Sequence, residues 1–160
     1  MIRAVRLEDA KALVAIYNPY IRETVITFEE EAISEHEMAS RIAKVTEGYP
    51  WLVWEEDGVV IGYAYGSTWR TRHAYRFTTE TTIYLAPEGQ GKGIGSRLYE
   101  GLLAELKQRG FHSALGGIAL PNAPSVRLHE ALGFRKVGHM TEAGWKFGAW
   151  VDVGFWERLL

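Results

Sequence analysis

Residues 85–96 read Leu85-Ala-Pro-Glu-Gly-Gln-Gly-Lys-Gly-Ile-Gly-Ser96, and this glycine-rich stretch decides the fold. It follows Thr78 to Leu85, whose Thr, Ile and Tyr content predicts a strand. It precedes a helical pattern with Leu98, Leu102 and Leu106 on one face. A strand, a glycine loop and a helix in this order predict an anion-binding nest, because backbone N–H groups and the helix dipole converge at the loop.

The spacing within this loop fits neither of the two common nucleotide-binding loops. A Walker loop has Ser or Thr directly after Gly-Lys, whereas Gly93 follows Lys92. The dinucleotide fingerprint has Gly or Ala where Ser96 stands, and no acidic residue lies at a suitable distance on a following strand. The residues alone therefore indicate an anion site without naming the anion, and a flexible turn stays the alternative.

Hydrophobic periodicity and turn residues predict the elements on either side of the loop. On the N-terminal side they are a strand over Ile2 to Arg6, a helix through Leu13, Ile16, Tyr17 and Tyr20, a helix between Ser34 and Gly48, and a hairpin of Trp51 to Glu55 and Val59 to Tyr65 with its turn at Asp57-Gly58. On the C-terminal side they are a helix end at Gly110, a strand over Ser113 to Ala119, a short helix between Asn122 and Gly133, and a strand over Val151 to Phe155. Asn18-Pro19 is expected to disturb the end of the first helix. This order predicts a single α/β sheet domain over residues 1–160.

Composition excludes several classes of protein. With 47% apolar and 24% charged residues, the chain has the composition of a globular domain. The 18 basic against 20 acidic residues disfavour a nucleic-acid partner. No cysteine is present to form a disulfide or a thiol nucleophile, and the five histidines show no metal-binding spacing, so no metal is expected. Charges near the start and the lack of a long apolar run predict a soluble cytoplasmic protein without a membrane partner.

The stretch Gln90-Gly-Lys-Gly-Ile-Gly95 resembles the acetyl-coenzyme A signature Q/R-x-x-G-x-G/A of the GCN5-related N-acetyltransferase (GNAT) superfamily. Five further stretches resemble its phosphinothricin acetyltransferase subgroup: Tyr49 to Val53, Trp69 to Tyr75, Glu80 to Tyr84, Leu120 to Phe134, and Lys146 to Trp156. The resemblance implies the GNAT acyl-CoA N-acyltransferase fold, a mixed, mostly antiparallel α/β sheet flanked by helices. It also implies acetyl-CoA as co-substrate and a homodimer.

The resemblance assigns acetyl-CoA contacts to three places. Loop amides over Gly91, Lys92, Gly93, Ile94, Gly95 and Ser96 would hold the pyrophosphate. The strand residues Ile83, Tyr84 and Leu85 would bond the pantetheine arm, in a slot where this strand splays from its neighbour. Asn122 would add a further contact, although capping of the following helix explains it equally well.

Two residues are implied to carry the chemistry, which is attack of a neutral amine on a thioester. Glu80 would take the amine proton, directly or through a water, while Thr79 and Thr81 face the other side of the sheet. His129 stands where many relatives carry Tyr and would assist the departing thiolate. Whether His129 is an acid, a base or a cofactor anchor stays open.

The acceptor pocket is assigned by the same resemblance. Arg70 and Arg72 would grip the acidic groups of an amino acid, since each guanidinium can bind an oxyanion through two N–H groups. Phe28, Tyr65 and Tyr75 would line the pocket. The predicted reaction is acetylation of the α-amine of phosphinothricin, methionine sulfoximine or methionine sulfone by direct transfer in a ternary complex. A different small amine or amino acid, or a non-catalytic acetyl-CoA sensor, stays an alternative.

Overall fold

The computed structural model describes residues 1–160 as four helices and seven strands. The helices are α1 (Ala10–Glu23), α2 (Glu35–Thr46), α3 (Ile94–Gln108) and α4 (Ala123–Ala131). The strands are β1 (Ile2–Ala4), β2 (Trp51–Glu56), β3 (Val59–Thr68), β4 (Thr78–Leu85), β5 (Ser113–Leu120), β6 (Arg135–Lys146) and β7 (Ala149–Leu159). None of the helices combines the length and the apolar character needed to cross a membrane.

All seven strands form one sheet in the order β1-β2-β3-β4-β5-β7-β6. Every neighbouring pair is antiparallel except β4 and β5, which run parallel. This parallel pair is joined only where Thr78–Glu80 lies opposite Ser113–Leu115. Beyond that point β4 stays paired with β3, and β5 with β7, but the two strands separate from each other. The separation is the slot that the resemblance predicts.

Helices cover both faces of the sheet, and the alternation of side chains along β4 shows which helix lies where. Tyr84 packs its ring against Tyr17 and Tyr20 of α1, with ring centroids 4.9 Å and 5.0 Å away. Thr81 faces the opposite way, and its hydroxyl lies 2.5 Å from that of Tyr99 in α3. Side chains at even positions of β4 therefore face α1 and those at odd positions face α3, as the alternation of side chains along a strand predicts.

The prediction that Asn18-Pro19 disturbs the end of the first helix is wrong, because α1 continues through Pro19 to Glu23. Proline removes one N–H donor from the helix, and tertiary contacts on both sides of it offset this loss. The buried Asn18 amide exchanges two hydrogen bonds of 3.0 Å with the backbone of Ile33. The Tyr20 hydroxyl donates to the Leu85 carbonyl at 2.6 Å.

Most other predicted elements are present with small shifts at their ends. Ser34 caps α2 by accepting from the Glu37 N–H at 3.0 Å, and Asp57-Gly58 forms the predicted hairpin turn with φ of 49° and 80°. The separate strand β6 was not predicted. Its residues are mostly exposed and its pairing with β7 is interrupted twice, so it lacks the regular alternation that marks a strand in sequence.

Candidate active site

Two adjoining cavities open where β4 and β5 separate. The first, of about 520 Å³, lies against the glycine-rich loop and is called the loop cavity. The second, of about 240 Å³, contains Glu80 and is called the Glu80 cavity. Ile83 and Tyr84 of β4, with Asn122 and Ser125 at the start of α4, line both. The two cavities therefore form one continuous cleft along the free edge of β4.

The backbone geometry of the loop cavity suits it to binding an anion. Gly91 and Gly93 adopt φ of 72° and 73°, a left-handed conformation that glycine takes without strain. The first hydrogen bond of α3 runs from the Arg97 N–H to the Gly93 carbonyl, so the N–H groups of residues 91–96 have no backbone acceptor. No acidic side chain lines this cavity. Free N–H groups at a helix N-terminus attract a phosphate group.

A chain of hydrogen bonds ties this loop to α1 and β4. The Gln90 side chain donates to the Tyr20 hydroxyl at 3.4 Å, and that hydroxyl donates to the Leu85 carbonyl at 2.6 Å. Tyr20 also lines the loop cavity. The Tyr20 hydroxyl is therefore already bonded to one carbonyl of β4, the strand that the resemblance assigns to the pantetheine arm. No sequence motif marked Tyr20, which the helical pattern placed only on the apolar face of the first helix.

Glu80 lies at the point where β4 and β5 part, opposite Leu115. The side chain is half-buried and lines the Glu80 cavity. Its carboxylate makes no hydrogen bond or ion pair within the chain, and burial raises its pKa above the ordinary value. A carboxylate with free lone pairs and a raised pKa is suited to accept a proton in the cleft.

His129 lines the same cavity from α4, but its ring is buried and bonded within the chain. Nδ1 lies 2.8 Å from the Ser125 carbonyl oxygen, so this nitrogen carries the hydrogen and donates it. Nε2 lies 3.0 Å from the Tyr99 hydroxyl, which donates to it. Burial lowers the pKa of His129, although the bond to Ser125 opposes this effect. The imidazole is therefore neutral, and its only N–H is already used.

A glycine on β5 gives the imidazole its place. A Cβ at Gly116 would lie 2.6 Å from Nε2 of His129, closer than any side chain tolerates. The neighbouring Gly117 faces the other side of the sheet, where a Cβ would lie 3.8 Å from the Glu80 carboxylate. Gly116 thus leaves the space that the His129 ring occupies, whereas a Cβ at Gly117 would make only an ordinary contact with Glu80.

The structure separates the predicted acceptor residues into two groups. Phe28 lines the Glu80 cavity. Tyr65 does not, since its ring stacks on Trp51 with centroids 4.1 Å apart. Three more residues lie exposed in the loop of residues 69–77 and do not line the cavity of their own chain: Arg70, Arg72 and Tyr75.

The predicted acetyl-CoA residues fall mostly in the loop cavity. Its lining includes Ile83, Tyr84, Leu85, Gly91, Gly93, Gly95, Ser96 and Asn122. Ile94 instead packs in the core and Lys92 is exposed beside the cavity. The Asn122 side chain also caps α4 by accepting from the Ser125 N–H at 3.3 Å. The capping and the cleft-lining positions of Asn122 therefore coincide.

Comparison with known proteins assigns the chain to a family. Residues 2–154 match the model of the acetyltransferase (GNAT) domain. The chain belongs to the GNAT acetyltransferase family. This confirms the resemblance seen in the sequence, together with the mixed, mostly antiparallel fold that it implies.

Individual relatives cover nearly all of this acetyltransferase. A phosphinothricin N-acetyltransferase of Streptomyces viridochromogenes is 43% identical, over 98% of this chain and 86% of the relative. A methionine sulfoximine/methionine sulfone acetyltransferase of Salmonella typhimurium is 38% identical, over 99% of this chain and 94% of the relative. A phosphinothricin acetyltransferase of Sinorhizobium meliloti, solved in complex with acetyl-CoA, is 41% identical with a TM-score of 0.96, over 100% of this chain and 88% of that one.

Proposed function

We propose that this acetyltransferase moves the acetyl group of acetyl-CoA to the α-amine of phosphinothricin or of a related amino acid, such as methionine sulfoximine or methionine sulfone. The observation that carries the proposal is the unpaired Glu80 carboxylate at the junction of two cavities, one of which is an anion site built from backbone amides. Relatives named for these substrates are 43% and 38% identical to the chain.

The loop cavity fits acetyl-CoA. The free N–H groups of residues 91–96 would hold its pyrophosphate, because they offer several donors at the positive end of α3. The free edge of β4 at Ile83 and Tyr84 would accompany the pantetheine arm toward Glu80. Acetyl-CoA supplies the reactive thioester; residues of this chain bind it and orient it toward the second cavity.

Glu80 is the proton acceptor of the proposed reaction. An α-amine is mostly protonated at neutral pH and must lose a proton before it can attack. Glu80 takes this first proton from the ammonium group, and the neutral amine then attacks the acetyl carbonyl. As the N–C bond forms and the C–S bond breaks, the nitrogen loses its second proton, which ends on the departing thiolate of coenzyme A, directly or through solvent. Since the chain has no cysteine and the two cavities adjoin, the acetyl group passes directly between the substrates.

His129 enters this proposal as a positioning residue. Its Nδ1 hydrogen bond to the Ser125 carbonyl and its Nε2 contact with Tyr99 fix the first turn of α4 against α3. That turn carries Ser125, with Asn122 at its cap, and both line the two cavities. The neutral ring thus sets one wall of the cleft.

We further propose that the enzyme is a homodimer in which Arg70 and Arg72 serve the acceptor of the partner subunit. The Glu80 cavity has no lysine or arginine in its lining, although an amino-acid acceptor carries a carboxylate. Both arginines are exposed and outside the cavity of their own chain. Trp145 and Trp150 at the end of the β6–β7 hairpin are 54% and 60% exposed, an apolar patch suited to a second copy.

Mixing two inactive variants tests this arrangement. Glu80→Gln lacks the proton acceptor, and Arg70→Ala/Arg72→Ala lacks the proposed acceptor clamp. After unfolding and refolding together, a homodimer with shared sites regains activity above the sum of the two variants, because one mixed site holds both groups. Activity equal to the sum contradicts the sharing.

Release of coenzyme A, followed with a thiol reagent, tests the function itself. The protein has no cysteine, so it gives no background in this assay. Acetyl-CoA is offered with phosphinothricin, methionine sulfoximine, methionine sulfone, unmodified amino acids and a polyamine. Fast release with phosphinothricin or the two methionine derivatives supports the proposal. Release only with a polyamine or an unmodified amino acid would replace the proposed acceptor, and acetyl-CoA binding without coenzyme A release on any acceptor would favour a sensor.

We place the reaction in the cytoplasm, where acetyl-CoA is available.

A further inference from the structure

Lys146 at the end of β6 is an unusual residue, because it is a lysine with only 1% of its surface exposed. Lysine is almost never fully buried unless it is paired with an acid. Here its Nζ makes one hydrogen bond, to the backbone carbonyl oxygen of Thr27 at 2.7 Å, and no salt bridge to a carboxylate. The bond joins segments 119 positions apart in the chain. A lysine buried at such cost needs a reason beyond packing.

Thr27 is the innermost point of the segment of residues 24–34, which connects α1 to α2. Its side chain is also held, since its hydroxyl lies 2.8 Å from that of Tyr17 in α1 and accepts from the Glu29 N–H at 3.2 Å. Lys146 adds the only hydrogen bond between this turn and β6. The turn is therefore fixed from the helix on one side and from the sheet on the other.

The residue that follows Thr27 is Phe28, a wall of the Glu80 cavity. Its ring rests on Gly144, two positions before Lys146. A Cβ at Gly144 would lie 2.3 Å from Cζ of Phe28 and 2.5 Å from Cε2. Only glycine leaves room for the ring at this place. The same end of β6 thus holds the backbone beside Phe28 and shapes the surface on which its ring lies.

The charge of Lys146 does not decide this role. Burial lowers its pKa, and the nearby carboxylates of Glu30 and Glu29 oppose that effect. A neutral amine keeps two N–H groups, and an ammonium keeps three, so either form donates to the Thr27 carbonyl.

We propose that Lys146 is a positioning residue for the acceptor side of the cleft: through the Thr27 carbonyl it holds Phe28 against Gly144, and it thereby sets the shape of the wall that Phe28 forms in the Glu80 cavity. The inference rests on the proposed function for its kinetic test only. It assigns to β6, which contributes no residue to the lining of the Glu80 cavity, control over that cavity.

Steady-state kinetics of Lys146→Met test the proposal. Methionine fills the space without donating a hydrogen bond, so the acceptor KM should rise by about tenfold, the effect of losing one buried hydrogen bond. The acetyl-CoA KM should stay within about twofold, since residues 24–34 contribute only Ile26 to the lining of the loop cavity and its free N–H groups lie in residues 91–96. The matched control is Lys136→Met, on the exposed part of the same strand, which should leave both values unchanged. Equal changes in both KM values would overturn the proposal.

A double-mutant cycle with Phe28→Ala separates positioning from general stability. If Lys146 acts through Phe28, then Lys146→Met should have almost no further effect on the acceptor KM once the ring is removed. Independent, multiplicative effects would overturn the proposed route. Gly144→Ala probes the same wall from the sheet and should raise the acceptor KM while leaving the acetyl-CoA KM unchanged. If Lys146→Met fails to fold, Gly144→Ala still tests whether this end of β6 controls the acceptor KM.

Hydrogen exchange provides a readout that needs no substrate. In Lys146→Met, the amides of residues 24–34 should exchange at least about tenfold faster, while those of α3 stay protected. If the unaltered chain acetylates none of the acceptors but this local change is seen, the proposed function fails and the positioning role stands. If exchange in residues 24–34 is unchanged, the positioning role fails whatever the activity.

Discussion

The two cavities of the cleft are built in different ways. The proposed anion site of the loop cavity is backbone: it consists of glycine conformations and the N–H groups of residues 91–96, and β4 supplies one wall of the cavity. The Glu80 cavity is made of side chains from separate segments, with Phe28 before α2, Glu80 on β4 and His129 on α4. The difference teaches that a backbone site is tolerant of side-chain changes nearby, whereas a side-chain site depends on every element that holds it.

The largest expected effect comes from Glu80→Gln. Loss of the proton acceptor should lower kcat by about 10²-fold or more, the usual contribution of general base catalysis. Glu80 does not line the loop cavity, so acetyl-CoA binding measured by calorimetry should be unchanged. Weaker acetyl-CoA binding with little change in kcat would remove the distinction between the two cavities.

The pH dependence of the unaltered enzyme and of Glu80→Gln tests the role of the Glu80 carboxylate in a second way. Burial raises the pKa of Glu80, so the carboxyl is protonated at a higher pH than an exposed glutamate. The kcat/KM for the acceptor should therefore fall as the pH drops through that raised pKa. In Glu80→Gln the remaining activity should lack this acidic limb. An identical limb in both proteins would assign it to another group.

A glycine substitution tests the backbone cavity. Gly93 has φ of 73°, where alanine is strained by about 1–2 kcal/mol, so Gly93→Ala should raise the acetyl-CoA Kd by about tenfold. The matched control is Gly110→Ala, with φ of 86° just after the C-terminal end of α3, at the opposite end of that helix from the loop. It carries a similar backbone cost and should leave the Kd unchanged. An equal loss of affinity in both variants would show that general strain, and not the loop, is responsible.

Two neighbouring glycines on β5 test the side-chain cavity. Gly116→Ala places a Cβ 2.6 Å from the His129 ring and should lower the free energy of unfolding by about 1–3 kcal/mol. Gly117→Ala meets Phe155 at 3.3 Å and Glu80 only at 3.8 Å, so its cost should be smaller. Chemical denaturation compares the two. A larger loss for Gly117→Ala would contradict the tight seat assigned to His129.

The smallest effect concerns the protonation of His129. Burial lowers the pKa of His129 in the folded chain, whereas in the unfolded chain it has the ordinary value of about 6.5. As the pH falls below that value, His129 is protonated in the unfolded chain but not in the folded chain. The free energy of unfolding therefore declines by up to about 1.4 kcal/mol per pH unit. Denaturation at several pH values should show a smaller decline for His129→Gln than for the unaltered chain and for the exposed control His36→Gln. An equal decline in all three proteins would place the imidazole outside the buried network.

The loop cavity could be predicted from sequence because it occupies a continuous stretch. One strand, one glycine pattern and one helix place Ile83 to Ser96 together whatever surrounds them. The slot beside β4 also followed from the family resemblance. Tyr20 could not be found in this way, because its hydroxyl reaches Leu85 across 65 positions of the chain.

The Glu80 cavity could be predicted only in part. Glu80, Phe28 and His129 came from motif positions, but the contacts that hold them are tertiary. Lys146 and Thr27 are 119 positions apart and no local pattern joins them. Arg70 and Arg72 show the reverse case. The family motif points to them, but in a single chain they lie outside the Glu80 cavity, so sequence alone could not place them.

Initial-rate kinetics with both substrates varied test the central claim, that one continuous cleft holds acetyl-CoA and the acceptor together. Direct transfer through a ternary complex predicts double-reciprocal lines that intersect, with coenzyme A released only when the acceptor is present. Parallel lines, with coenzyme A released in a burst before the acceptor is added, would show an acetylated enzyme intermediate and contradict the account.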